Sequence, residues 1–213
     1  MRDTRHLLDA IDAARRNAGF LSLAETLALS ESGNTVLDPF STLISRDVEI
    51  GESNVIHPNV RLDCRDGAAL RVGSGNVLHA NTVMEATDGA IIVGDGNLFG
   101  EGVLTVKANA PGARIEIGDG GRYVGIVNVY GQVTLGSGSQ VLGTITVQGC
   151  TLAAGAPHSH PEPDARGAVL KGAGSARDIH LAQGQVIDGW GRFQAEDAVT
   201  QSTFHPAPAP GQH

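Results

Sequence analysis

The sequence predicts a mainly β chain wound as a parallel β-helix behind a short N-terminal helical segment. Three observations predict it. Apolar residues recur every six positions from about residue 36 to residue 189. Glycine is abundant, at 29 residues, while aromatic residues make up only 4% of the chain. The glycines also fall at a fixed place in the repeat, directly after an apolar residue, at Gly51, Gly73, Gly94, Gly118 and Gly136. A repeat with a fixed short period sets the architecture before any local propensity does.

Residues 4–18 read as an amphipathic helix with Leu7, Leu8, Ile11 and Ala14 on one stripe and Gly19 as its stop. A second short helix starts at Ser22, where Ser22-Leu23-Ala24-Glu25 has the form of a capping box, and Gly33 ends it. These helices form an N-terminal segment, 1–34, suited to covering one open end of a solenoid.

The repeat occupies 35–193. Aligned in sixes, its inward positions are Ile50, Ile56, Leu62; Val72, Leu78, Met84; Val93, Phe99, Thr105; Ile117, Tyr123, Val129; and Leu135, Val141, Val147. Thr105 is the one poor fit. Four residues on, the position is small or β-branched in most repeats, such as Val60, Thr82, Val103 and Val127. It is asparagine at Asn54, Asn76 and Asn97. One residue in six packing on its equivalent in the next turn gives a three-faced prism, with glycine or asparagine at corners where φ is positive. Turns starting at Ile117 and Leu135 take 18 residues each, and the three before them take 22, 21 and 24. The extra residues are placed after the third face, at Asp66-Gly67-Ala68, Asp88-Gly89-Ala90 and Asn109-Ala110-Pro111-Gly112. An excursion loop spans 154–167, and a Pro- and Ala-rich tail, 194–213, is expected to be disordered.

Composition narrows the function classes. A net charge of −8 disfavours a nucleic-acid binder, which needs a basic face. No run of 18 apolar residues suggests a membrane span, and the N-terminus makes a poor signal peptide, so a cytoplasmic location is expected. Cys64 and Cys150 are too few to staple the fold and have no base nearby in sequence, which makes them bystander thiols.

The pattern resembles the hexapeptide-repeat superfamily of left-handed parallel β-helix proteins, over about 150 residues. The resemblance implies a left-handed helix and a homotrimer. Its members include acyl- and acetyltransferases, γ-class carbonic anhydrases and non-catalytic subunits. The stretch Leu37-Asp38-Pro39-Phe40-Ser41-Thr42-Leu43-Ile44 with Val48-Glu49-Ile50-Gly51 and Val55-Ile56-His57-Pro58 is similar to the opening of the C-terminal helix in bifunctional N-acetylglucosamine-1-phosphate uridyltransferase/acetyltransferases. Val60-Arg61-Leu62-Asp63, Val72-Gly73 and Asn76-Val77 are similar to the Arg-x-Asp and Asn pattern of γ-class carbonic anhydrases, where the arginine and aspartate sit at the trimer interface. The zinc histidines of that family do not carry over. The first falls on Met84, and the next pair meets Gly100-Glu101 and Val103–Val106, which hold none. A zinc site needs three such ligands, so no metal is assigned.

Three constellations could carry chemistry. His57 and His79 each follow an inward residue of the second face, one turn apart, about 4.8 Å. They suit a general base, a shared metal or an outer polar surface. Asp63 and Glu85 share a repeat position in successive turns, with Arg61 as the cation between them, either in an intersubunit ion-pair ladder or at a substrate. Tyr130 extends that row, with Asn128 and Lys107 as weaker neighbours. His158, His160, Glu162 and Asp164 crowd one loop, which reads as an active-site loop, a metal loop or plain surface.

Two functions lead, with a metal-dependent lyase or hydrolase using the 158–164 loop as a third. One is an acyl- or acetyltransferase-like enzyme acting on a small-molecule acceptor at a trimer interface. The resemblance then implies acetyl-CoA or acyl-CoA as donor, with His57 or His79 as base. The other is a non-catalytic trimeric scaffold or subunit, related to γ-class carbonic anhydrases, that has lost the zinc site.

Overall fold

The computed structural model describes residues 5–65 and 67–205. The repeat folds as a parallel β-solenoid in which three stacks of strands enclose one apolar core. The first stack is a seven-stranded sheet built from Val48–Ile50, Ala69–Val72, Ala90–Val93, Arg114–Ile117, Gln132–Leu135, Thr151–Leu152 and His180–Leu181. The second begins with Thr35–Val36, Val55–Ile56 and Val77–Leu78, and the third with Leu43–Ile44, Arg61–Cys64 and Thr82–Ala86. From Leu98–Ala108 onward, single long strands serve both of these faces: Arg122–Tyr130, Gln140–Gln148, Val169–Arg177 and Gln185–Arg192. Every pairing between turns is parallel; the final strand, Val199–Thr200, is antiparallel to Gln185–Arg192 and covers the last edge.

The six-residue register holds almost throughout. Ile56, Leu62, Leu78, Met84, Phe99, Tyr123, Leu135 and Val141 are fully buried, and Ile50 packs partly buried against them. Thr105 does not point inward. Its neighbours Leu104 and Val106 do, because the strand slips by one residue between Gly100 and Val103, and Glu101 adopts φ 53° there. Val106 therefore pairs with Met84 and Val129, and Leu104 with Thr82 and Val127, while Val103 faces outward. So the extra residues of the 24-residue turn do not all follow the third face; one lies at this bulge. The turn from Leu135 reaches Leu152 after 17 residues, one fewer than its six-fold alignment implied.

The glycine corners also differ from expectation. Positive φ falls two residues later, at Ser53, Gly75, Gly96, Gly120 and Gly138. What requires glycine at Gly73 is close approach, since a Cβ there would press against the Gly94 carbonyl of the next turn. Asn54, Asn76 and Asn97 are buried rather than turning the chain. The side-chain carbonyls of Asn54 and Asn76 each accept the backbone N–H and the side-chain NH2 of the next asparagine, at 2.8–3.1 Å, and each of the three NH2 groups also donates to a glycine carbonyl. Asn34 starts the ladder and Gly121 ends it, accepted by Asn97. At Gly121 the missing side chain makes room for the hydroxyl of Tyr123, which pairs with Ser139 at 3.1 Å.

The N-terminal segment closes the first turn, although not by the face the sequence pattern favours. Helix α1 (Arg5–Asn17) leaves Leu7, Leu8 and Ile11 exposed, at 53%, 44% and 39%. Its buried residue is Arg15, which donates to the carbonyls of Leu21, Pro39 and Thr42 and to Thr26 Oγ1. Phe20 and Leu23 supply the apolar contact, and Leu21 N–H donates to Ile44. Helix α2 (Leu23–Ala28) has the expected capping box, Ser22 with Glu25, and a short 3-10 turn ending at left-handed Gly33. At the other end the disordered tail is not found as far as His205. Gln201 is buried and its side chain donates to the Gly167 carbonyl, so Gln194–His205 is held against the solenoid. The proline-rich stretch after it lies outside the described residues. Among the described residues, no helix is long and apolar enough to cross a membrane.

Candidate functional site

Strand register fixes where each candidate side chain sits. The outward residue after each second-face inward position forms one row: His57, His79, Gly100, Val124, Leu142, Lys171 and Asp188. His57 and His79 stack in it with ring centroids 4.5 Å apart and planes tilted by 31°. Burial, then the facing His79 ring, holds the His57 pKa below its ordinary value. Gly100 follows His79, and a Cβ there would collide with the His79 side chain.

A second row carries Asp63, Glu85, Lys107, Tyr130, Gln148 and Arg177. Arg61 does not bridge Asp63 and Glu85. It pairs with Asp63, which Arg65 also meets at 3.0 Å, while Glu85 meets Lys107 at 3.5 Å. Asp63 is 1% exposed, and it also accepts from Ser45 Oγ. The carboxylate repulsion is thus relieved by separate cations at each carboxylate, two at Asp63 and one at Glu85. Tyr130 does extend the row, and its hydroxyl donates to Asn128 at 3.4 Å.

The excursion loop is where the fold makes a cleft. Its lip carries His158 and Arg166; its floor is Arg122, Leu142, Val169 and Lys171 on the adjoining strands. Gln201, Phe204 and His205 of the tail close the far side around about 340 Å³. Loop and tail brace each other. Ser202 N–H donates to Asp164 at 2.8 Å, holding that carboxyl below the usual range, and Gln183 and Gln201 side chains donate to Ala165 and Gly167 carbonyls. His158 keeps much of its surface exposed, yet partial burial first, then Arg122 and Arg166, lowers its pKa. Lys171 pairs with Asp188 at 2.7 Å beneath the Phe204 ring.

The other loop candidates turn elsewhere. His160 accepts the Glu162 N–H through Nδ1, and its carbonyl accepts from Arg166 Nε at 2.8 Å. Among the described residues, no group of three or more His, Cys, Asp or Glu side chains is placed to hold a metal ion. Cys64 and Cys150 are buried, and burial pushes both thiols up, away from the thiolate needed for nucleophilic chemistry. Of the residues singled out in the sequence, only His158 lines the cleft. Arg122, Arg166 and Lys171 went unnoticed. The repeat shows Arg122 and Lys171 as outward residues, but it carries no sign that a loop and a tail fold over them.

No protein-family model matches the chain, and no curated protein matches it. Among solved structures it is similar to the Francisella novicida UDP-N-acetylglucosamine acyltransferase, at 12% identity and a TM-score of 0.21. The match covers 71% of this chain and 62% of that enzyme, so the chain spans less than two thirds of its length. At that score the likeness bears no weight, and the solenoid stands on its own strand register.

Proposed function

We propose that this chain is an acyltransferase-like enzyme whose small-molecule site is the cleft under the excursion loop. The observation that carries the reading is a histidine, His158, kept toward its neutral form at the rim of a cleft lined by cations and apolar side chains. A neutral imidazole at working pH is what a general base requires. In this reading His158 takes the proton from an acceptor hydroxyl or amine as the acceptor attacks the carbonyl of an acyl thioester. The carbon–sulfur bond breaks and the thiol leaves with a proton. Acetyl-CoA or another acyl-CoA is the proposed donor. A volume of about 340 Å³ suits a small acceptor or one end of the donor rather than the whole of both.

The stacked pair His57 and His79 supports a second placement of the base, at a boundary between subunits of a homotrimer. The favouring observation is the same tendency toward neutrality at His57. Release of free thiol from acetyl-CoA across a panel of amines and alcohols tests the transferase reading. His158→Ala is expected to lower kcat by about 100-fold or more. Retained turnover there with loss in His79→Ala moves the base to the stacked pair. Absence of thioester consumption together with absence of CoA binding at millimolar concentration leaves the non-catalytic scaffold. Light scattering tests the trimer, expected at three times 22.0 kDa.

A further inference from the structure

The charge of the cleft runs against that of the chain. The protein carries −8 overall, yet Arg122, Arg166 and Lys171 line this one cavity with a single carboxylate, Asp188, among them. That carboxylate is engaged by Lys171 at 2.7 Å. Among the described residues neither arginine forms an ion pair. Arg166 uses only Nε, in its bond to the His160 carbonyl, which fixes the plane of the group and leaves its terminal nitrogens unassigned. Arg122 rises from a strand paired on both sides, so its base is rigid. Two guanidinium groups converging on one cleft repel each other unless an anion lies between them, and their planar forks match carboxylate and phosphate oxygens. The rest of the wall, Leu142, Val169, Val186 and the Phe204 ring, is apolar.

We infer that the cleft binds a small organic anion, with its carboxylate or phosphate held by Arg122 and Arg166 and its carbon body against the Leu142 and Phe204 walls. The inference rests on the cleft being the ligand site of the proposed function, and it names the class of acceptor: a small molecule bearing an anionic group beside its hydroxyl or amine. Lys171, neutralised by Asp188, shapes the floor and leaves the net positive charge to the arginines.

Calorimetry on the full chain at low salt tests this with glycerol 3-phosphate, succinate and neutral glycerol as probes. At least one anion is expected to bind saturably and to weaken as salt is raised, while glycerol does not bind. Arg122→Gln is expected to weaken the anion at least tenfold; Lys107→Gln, outside the cleft, is expected to leave it unchanged. Arg166 also ties the loop together through the His160 carbonyl, so Arg122→Gln reads binding even if Arg166→Gln fails to fold. Preference for glycerol 3-phosphate assigns the phosphate class and preference for succinate the carboxylate class. No saturable anion binding, or equal binding in Arg122→Gln, overturns the inference. Arg122-dependent anion binding in a chain that consumes no thioester keeps it and removes the transferase reading. Thioester turnover with an unchanged acceptor KM in Arg122→Gln does the reverse.

Discussion

The first turns of the solenoid and the last solve the same geometric problem with different chemistry. In the early turns the chain breaks between the second and third faces, and Asn59 and Asn81 take the left-handed conformation at that corner. In the late turns one strand runs through both faces and bends at a glycine instead: Gly125, Gly143, Gly172 and Gly189 stack in register. The interior differs too. The early turns are joined by a buried asparagine ladder, and the late turns replace it with the Tyr123–Ser139 hydroxyl pair. The change falls at the Glu101 bulge and at Gly121, within one turn. At the corner between the second and third faces the early turns use left-handed asparagine, whereas the late ones depend on backbone that no side chain obstructs. That compact corner accompanies the region where loop and tail build the cleft.

The largest expected effect breaks the late corner. A Cβ on Gly143 would collide with the Gly172 carbonyl, and its φ of 125° suits no L side chain. Gly143→Ala is expected to destabilise by about 3 kcal/mol or more, from overpacking added to backbone strain. At the corresponding early corner Ala80→Gly costs about 0.5–1 kcal/mol through chain entropy alone. Urea unfolding of both variants decides whether the two corners differ as described; equal losses would erase the distinction.

Next comes the ladder. Asn76→Ala strands the Asn97 N–H, one hydrogen of the Asn97 NH2 and the Gly94 carbonyl in the interior. A loss of about 2–4 kcal/mol is expected, against about 1 kcal/mol for Ser139→Ala, which removes one hydroxyl partner. Thermal unfolding would read the order, and a larger loss at Ser139 would contradict it. Arg15→Met tests the cap that precedes the ladder. It removes four hydrogen bonds but also a cation whose charged form burial already disfavours. The net loss expected in equilibrium unfolding is therefore smaller, about 1–3 kcal/mol.

The smallest effect is a pH dependence that both regions share. His57 in the early turns and His158 at the cleft have folded pKa values below that of the unfolded chain. Below a pH of about 6.5 the unfolded state binds more protons at these sites. Stability is then complete above that pH and declines as pH falls toward the folded values. His57→Gln and His158→Gln are each expected to flatten part of that decline between pH 7 and pH 5. A steeper decline in either variant would mean the histidine is stabilised as a cation.

Much of this was legible because the interior is periodic. The inward register, the capping box at Ser22 and the position of the excursion loop all follow from local pattern, since each turn repeats the same packing problem. The pattern misled where one residue was inserted, at Glu101, because a six-residue alignment has no means of placing a bulge. It also misled on helix α1, whose apolar stripe of Leu7, Leu8 and Ile11 faces solvent while Arg15 is buried. The spacing of apolar residues along a helix shows which of them share a face and leaves open which face finds a partner.

By itself the sequence determined the solenoid, its core residues and the stacking of His57 on His79, because neighbouring turns repeat the same short-range contacts at a fixed spacing. Only the tertiary structure decided the cleft. Arg122, His158, Arg166, Lys171 and Phe204 come from separate strands, a loop and the tail, and meet through Gln201 and Ser202 hydrogen bonds spanning 34 and 38 residues. Contacts at such separations depend on how each excursion folds back on the prism, and no six-residue period encodes that.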